Sequence, residues 1–119
     1  MFELRTSYRF CAAHSIEGLP KGHKCGRLHG HNYVVTIIFR GTKLEDTGFL
    51  IDAGQVDKIV KPIVDRFDHQ TLDDFLTPTS EMLARYIARM VGGDKRVAGL
   101  LWAVEVKETD KITARFYVR

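Results

Sequence analysis

Cysteine is scarce in this sequence: Cys11 and Cys25 are the only two among 119 residues. Two thiols cannot build the disulfide framework of a small secreted domain, and Phe2-Glu3-Leu4-Arg5 puts charges where a secretory leader needs an apolar run. A reducing, cytoplasmic setting with both thiols free is therefore expected. Long apolar runs are missing as well, which argues against membrane insertion. Dense basic runs interleaved with aromatics are also missing, so the net charge of +3 does not read as a nucleic-acid footprint. Linkers, repeats and low-complexity stretches are absent, and the length suits one domain over residues 1–119 with one core. A hydrophobic content of 45% with 28% charged residues is that of a soluble globular protein.

What the chain does have is Cys25-Gly26-Arg27-Leu28-His29-Gly30-His31. Side chains two apart on a β-strand point to the same face, so His29 and His31 can reach one cation. His14 is the natural third ligand, because it closes a strand pattern that can lie antiparallel to the strand beginning near His29. Three neutral imidazoles around Zn2+ leave an open position, the arrangement of a catalytic zinc site. Cys25 sits on a basic loop beside Lys24 and Arg27 and near the expected cation, an environment that favours thiolate. A closed shell of Cys25 with the three histidines, as in a non-catalytic zinc-stabilised binding module, stays open as the competing reading. Lys21, Lys24 and Arg27 are candidates for an anionic, phosphorylated partner, with solvated loop charges as the plain alternative.

The flanking segments supply elements to hold this motif. Phe2, Leu4, Tyr8, Phe10 and Ala12 alternate with polar residues, and His14 falls on the apolar parity of that strand. Cys11 falls on the other parity and reads as a small filler residue. Residues 31–40 form a second strand, apolar on both parities and therefore covered on both faces or packed in an assembly. Asp52 with Gln55 gives a capping-box pattern for a helix carrying Val56, Ile59, Val60, Ile63, Val64 and Phe67, with Pro62 as an internal conflict. Asp68-His69 follows as a possible acid/base pair. A second helix starts at Thr77-Pro78-Thr79-Ser80-Glu81, presents Met82, Leu83, Tyr86, Ile87, Met90 and Val91, and stops at Gly92-Gly93. A hairpin of residues 100–108 and 112–118 ends the chain. Glu108 shares parity with Trp102, Val104 and Val106; it either enters a pocket, where it can accept two parallel hydrogen bonds from a planar ligand, or reaches solvent.

These parts in this order resemble the 6-pyruvoyl-tetrahydropterin synthase family, and within it the 6-carboxy-tetrahydropterin synthase branch of queuosine biosynthesis. Ala12-Ala13-His14, Gly22-His23-Lys24-Cys25-Gly26-Arg27-Leu28-His29-Gly30-His31, Leu50-Ile51-Asp52, Phe67-Asp68-His69, Pro78-Thr79-Ser80-Glu81 and Val106-Lys107-Glu108-Thr109 carry the resemblance. The three residues between Cys25 and His29 favour the carboxy branch. The resemblance implies an α+β tunnelling fold, a four-stranded antiparallel sheet with two helices on one face, in a homohexamer built as a dimer of trimers. It implies zinc on His14, His29 and His31, Cys25 as general base with Asp68 and His69 as proton relay, and Glu108 as pterin anchor. Thr79, Lys24 and Arg27 are the further substrate-binding candidates. The implied reaction converts 7,8-dihydroneopterin triphosphate to 6-carboxy-5,6,7,8-tetrahydropterin, acetaldehyde and triphosphate. Pyruvoyl synthesis and dihydroneopterin side-chain cleavage are the alternatives within the family.

Overall fold

Alternating apolar residues near the N-terminus and the doubly apolar run that follows them pair along their full lengths. In a computed structural model describing residues 1–119, β1 (Phe2–His14) and β2 (His29–Gly41) form an antiparallel ribbon from Phe2 opposite Gly41 to His14 opposite His29. The loop of residues 15–28 joins them at the histidine end. β2 then pairs antiparallel with β4 (Leu101–Lys107), which pairs antiparallel with β5 (Thr113–Tyr117). A bulge between Ile38 and Phe39 shifts the β2–β4 register by one residue.

The sheet departs from the four antiparallel strands expected. It has five, in the order β3-β1-β2-β4-β5, and β3 (Gln70–Thr71) runs parallel to β1 beside Ala12 and Ala13. The cause is His69, whose backbone is left-handed at φ 58. This turn carries Gln70 along the β1 edge, and the His69 N–H donates to the Cys11 carbonyl at 2.6 Å. A non-glycine residue in that conformation costs roughly 1–2 kcal/mol, so the edge bonds must hold it.

α1 (Ala53–Asp65) begins at Asp52, whose Oδ1 accepts from the Gly54 N–H at 2.9 Å; the reciprocal bond from Gln55 is not made. The helix runs through Pro62. Pro62 and Lys58 both face solvent, so water can serve the Lys58 carbonyl that the proline leaves without a donor. α2 (Ser80–Gly92) begins at Thr79 and buries Leu83, Ala84, Ile87, Ala88 and Val91. Its buried stripe lies one position off the expected one: small Ala84 and Ala88 are inside, whereas Met90 is exposed. A third helix absent from the expectation, α3 (Lys95–Ala98), is a single turn capped by Asp94.

Both long helices cover one face of the sheet. Tyr8, Phe10 and Ala12 of β1, Tyr33, Val35, Ile37 and Phe39 of β2, and Val104 and Val106 of β4 join Val56, Val60, Leu83 and Ile87 of the helices in one core cluster of 25 buried residues. Each large side chain buried there contributes about 1.5–3 kcal/mol. On the other face Ile38, Ala103 and Thr36 are buried beside a charged layer in which Glu105 bridges Arg5 and Arg115. On that second face of β2, Thr36 and Ile38 are buried, whereas Asn32 is exposed and Val34 half-buried. No helix is long and apolar enough to cross a membrane.

Candidate active site

Strand register delivers the histidines. His14 lies directly opposite His29, and His31 lies opposite Ala12, so all three rings emerge at one end of the core-facing side of the β1–β2 ribbon. His14 is 2% exposed, deep for so polar a side chain. Its Nδ1 lies 2.6 Å from the Pro78 carbonyl oxygen and His29 Nδ1 lies 2.6 Å from the Arg27 carbonyl oxygen. A carbonyl only accepts, so both Nδ1 atoms carry the hydrogen and both Nε2 atoms present bare lone pairs when the rings are neutral. Those two Nε2 atoms are 3.0 Å apart.

Two lone pairs at that separation repel unless a proton or a cation lies between them. Glu108, just past the end of β4, closes the group: Oε1 stands 2.9 Å from His31 Nε2 and 3.8 Å from His14 Nε2. One ligand atom from each of His14, His29, His31 and Glu108 lies within 4.8 Å of every other. Tetrahedral zinc with nitrogen ligands at 2.0–2.1 Å needs nitrogens about 3.3 Å apart, so the donor set fits the ion. His31 Nε2 adds a second sign: it is buried without an aligned hydrogen bond, although Glu108 Oε1 stands 2.9 Å away. Burial, with the charges of His14 and His29, holds the His31 pKa below the ordinary histidine value against the opposing pull of Glu108. Neutral imidazole is the form that binds metal.

Cys25 lies half-buried on a 3-10 turn, Lys24–Gly26, and is not one of the four clustered groups. The carboxylate that approaches the three histidines is that of Glu108, and Cys25 stands outside the cluster. The loop bearing Cys25 also orients His29, through the Arg27 carbonyl. Lys21 and Arg27 line an open cleft of about 490 Å³ with Glu17 and His23, while Lys24 is exposed on the turn outside that lining.

Asp68 and His69 pair with each other, His69 Nδ1 to Asp68 Oδ2 at 3.0 Å, at the β1–β3 edge. The Cys11 N–H donating to Asp68 at 2.9 Å lowers the Asp68 pKa, helped by His69 and opposed by partial desolvation. His69 opens onto a cleft of about 420 Å³ shared with Cys11, Asn32 and Thr71, with no lining from the Cys25 turn. A single chain therefore does not bring the Asp68–His69 pair and Cys25 into one cleft.

Thr79 is occupied as the cap of α2, its Oγ1 accepting from the Met82 N–H at 3.2 Å. The neighbouring Ser80, buried and overlooked in the sequence reading, instead donates to Glu108 Oε2 at 2.6 Å. Only the Pro-Thr-Ser-Glu motif marked this region, and two adjacent hydroxyls at a helix start leave open which one is free. Tyr33, whose hydroxyl lies 3.3 Å from His14 Nδ1, also went unnoticed as part of the site.

A sequence model of the 6-pyruvoyl tetrahydropterin synthase family matches residues 3–118. The chain belongs to this family. Its similarity to a Bacillus subtilis protein named 6-carboxy-5,6,7,8-tetrahydropterin synthase is 35% identity over 95 residues, 72% of this chain and 62% of that relative. The match thus spans less than two thirds of the relative's length. A Synechocystis protein of the same name is 32% identical over 128 residues, covering 98% of this chain and 94% of that one. The structure of Caenorhabditis elegans 6-pyruvoyl tetrahydropterin synthase superposes with a TM-score of 0.87 at 26% identity, covering 99% of this chain and 96% of that chain. Within this family the His14, His29, His31 and Glu108 cluster is the site of interest, with the Cys25 loop around it.

Proposed function

We propose that this protein is a zinc-dependent lyase that converts 7,8-dihydroneopterin triphosphate and water to 6-carboxy-5,6,7,8-tetrahydropterin, acetaldehyde and triphosphate. Its product would serve the cytoplasmic queuosine pathway. The carrying observation is the pair of Nδ1–H groups fixed on carbonyl oxygens, which turns the Nε2 lone pairs of His14 and His29 toward one point beside His31 and Glu108. His14, His29 and His31 would hold Zn2+, which when bound supplies Lewis-acid polarisation of the substrate's side-chain oxygens.

The protein's own residues then divide the work. Cys25, as thiolate, takes the acidified carbon-bound proton, and its turn is near enough in sequence to share a loop with a metal ligand. Glu108, held by Ser80, accepts the paired N–H groups of the pterin ring in place of its contact with His31. Asp68 and His69 relay protons from a neighbouring copy, because their cleft in one chain lacks the Cys25 turn. That composite site belongs to the proposed homohexamer, a dimer of trimers with active sites at subunit boundaries. Lys21, Lys24 and Arg27 are proposed to receive the triphosphate.

Incubation of the purified, metal-quantified protein with dihydroneopterin triphosphate, with mass-spectrometric identification of every product, tests this reading. Acetaldehyde with a carboxylated tetrahydropterin is the expected outcome. A 6-pyruvoyl product would instead support the second reading, favoured by the likeness to the Caenorhabditis elegans enzyme. No conversion would overturn both.

A further inference from the structure

The turn that carries Cys25 buries none of its three residues, so hydrogen bonds and not packing must hold it. Its N-terminal cap is His23. The backbone of His23 is extended, and its Nδ1 accepts from the Cys25 N–H at 3.1 Å while its carbonyl accepts from the Gly26 N–H at 3.0 Å. From the opposite side the Ile16 N–H donates to the Cys25 carbonyl at 2.9 Å, and Ile16 lies two residues after His14. The Cys25 peptide is thus tied at both ends, once to the imidazole and once to the segment leaving β1. The preceding chain offers no regular structure to help, with Gly18 and Gly22 both at positive φ.

We propose that His23 is a positioning residue for Cys25, its imidazole fixing the turn so that the thiol is presented to the substrate. This rests on Cys25 being the proton acceptor of the proposed reaction. Caps are ordinarily Ser, Thr, Asp or Asn. His23 fills that place with the lone pair of its Nδ1, and no buried contact within the turn can take over when the ring is removed.

The test compares metal-loaded, full-length wild type with His23→Ala and His23→Asn. Amide hydrogen exchange of the peptide containing Cys25 reads the turn without reference to activity, and kcat against KM reads the consequence. His23→Ala is expected to speed exchange at Cys25 and lower kcat, each about five-fold, the usual effect of losing a cap, with KM and zinc content unchanged. His23→Asn, which can supply a capping oxygen in the same place, is expected to restore both. Unchanged exchange and kcat in His23→Ala, or failure of His23→Asn to restore them, would overturn the proposal. Wild type that turns over no pterin triphosphate would instead overturn the functional reading, and with it the catalytic meaning of the His23 contact.

Discussion

Removing one hydroxyl should loosen substrate binding without dismantling the fold. Ser80 is 2% exposed and donates to Glu108 Oε2 at 2.6 Å, a short, charge-assisted bond that leaves Oε1 free to face the metal centre. Hydrogen bonds to a charged group are worth about 1.5–3 kcal/mol, and Glu108, with its side chain 16% exposed, can recover part of that from water. Ser80→Ala therefore leaves Oε2 without its donor and the Glu108 carboxylate free to rotate, and the pterin must pay to fix it again. At 1.4 kcal/mol per decade, KM is expected to rise about 10- to 100-fold, with kcat changed less than five-fold because Ser80 touches no reacting atom. The assay is steady-state kinetics on dihydroneopterin triphosphate, with thermal unfolding as a control. A Tm drop of about 4 °C is expected from losing roughly 1 kcal/mol in a domain of this size. A KM within two-fold of wild type would refute the assignment of Ser80 as the support of Glu108.

Three further outcomes follow from the same geometry. Cys25→Ala should retain zinc and thermal stability while turnover falls on the order of 10²–10⁴-fold; loss of metal along with activity would mean that the sulfur is a ligand. Tyr8, buried and donating to Asp57 at 2.6 Å, has its phenol pushed up to about 12, first by burial and then by that bond. The folded state prefers the neutral phenol, so this stabilisation is complete below the ordinary tyrosine value near 10 and is lost as pH rises through about 12. Denaturation curves across that window should fall more steeply for wild type than for Tyr8→Phe, and parallel curves would count against it. Asp68→Asn should leave the zinc content of the protein unchanged, since Asp68 lies at the β3 edge, and a metal-free variant would show that the two regions are coupled.

Much of the fold was legible because burial follows parity along a strand. The alternation from Phe2 to His14 placed His14 on the covered face, and the His-x-His spacing did the same for His29 and His31, so the register had only to bring the two strands together. The double-sided apolar run of β2 likewise read as a strand covered on both faces or packed in an assembly, and it lies in the interior of the sheet between β1 and β4. β3 was not legible, since two residues carry no periodicity and their direction depends on one left-handed histidine. α3 is too short to show a stripe, and the α2 stripe was misplaced because large side chains, not the small Ala84 and Ala88 pressed against the sheet, drew the reading. In the site, side-chain type and spacing picked out the three histidines that cluster with Glu108. The carbonyls of Pro78 and Arg27 that orient them carry no sequence signal, because every residue has one. The exchange of roles between Thr79 and Ser80 depends on which hydroxyl the helix start consumes, a matter of backbone angles.

The central claim is that three imidazoles hold one zinc ion while the thiol of Cys25 stays off it. X-ray absorption at the zinc edge on the purified protein, with metal quantified per chain, tests this most directly. One zinc with nitrogen ligands at about 2.0–2.1 Å and no sulfur scatterer is predicted; a zinc–sulfur distance of about 2.3 Å, or a chain that binds no zinc, would contradict it.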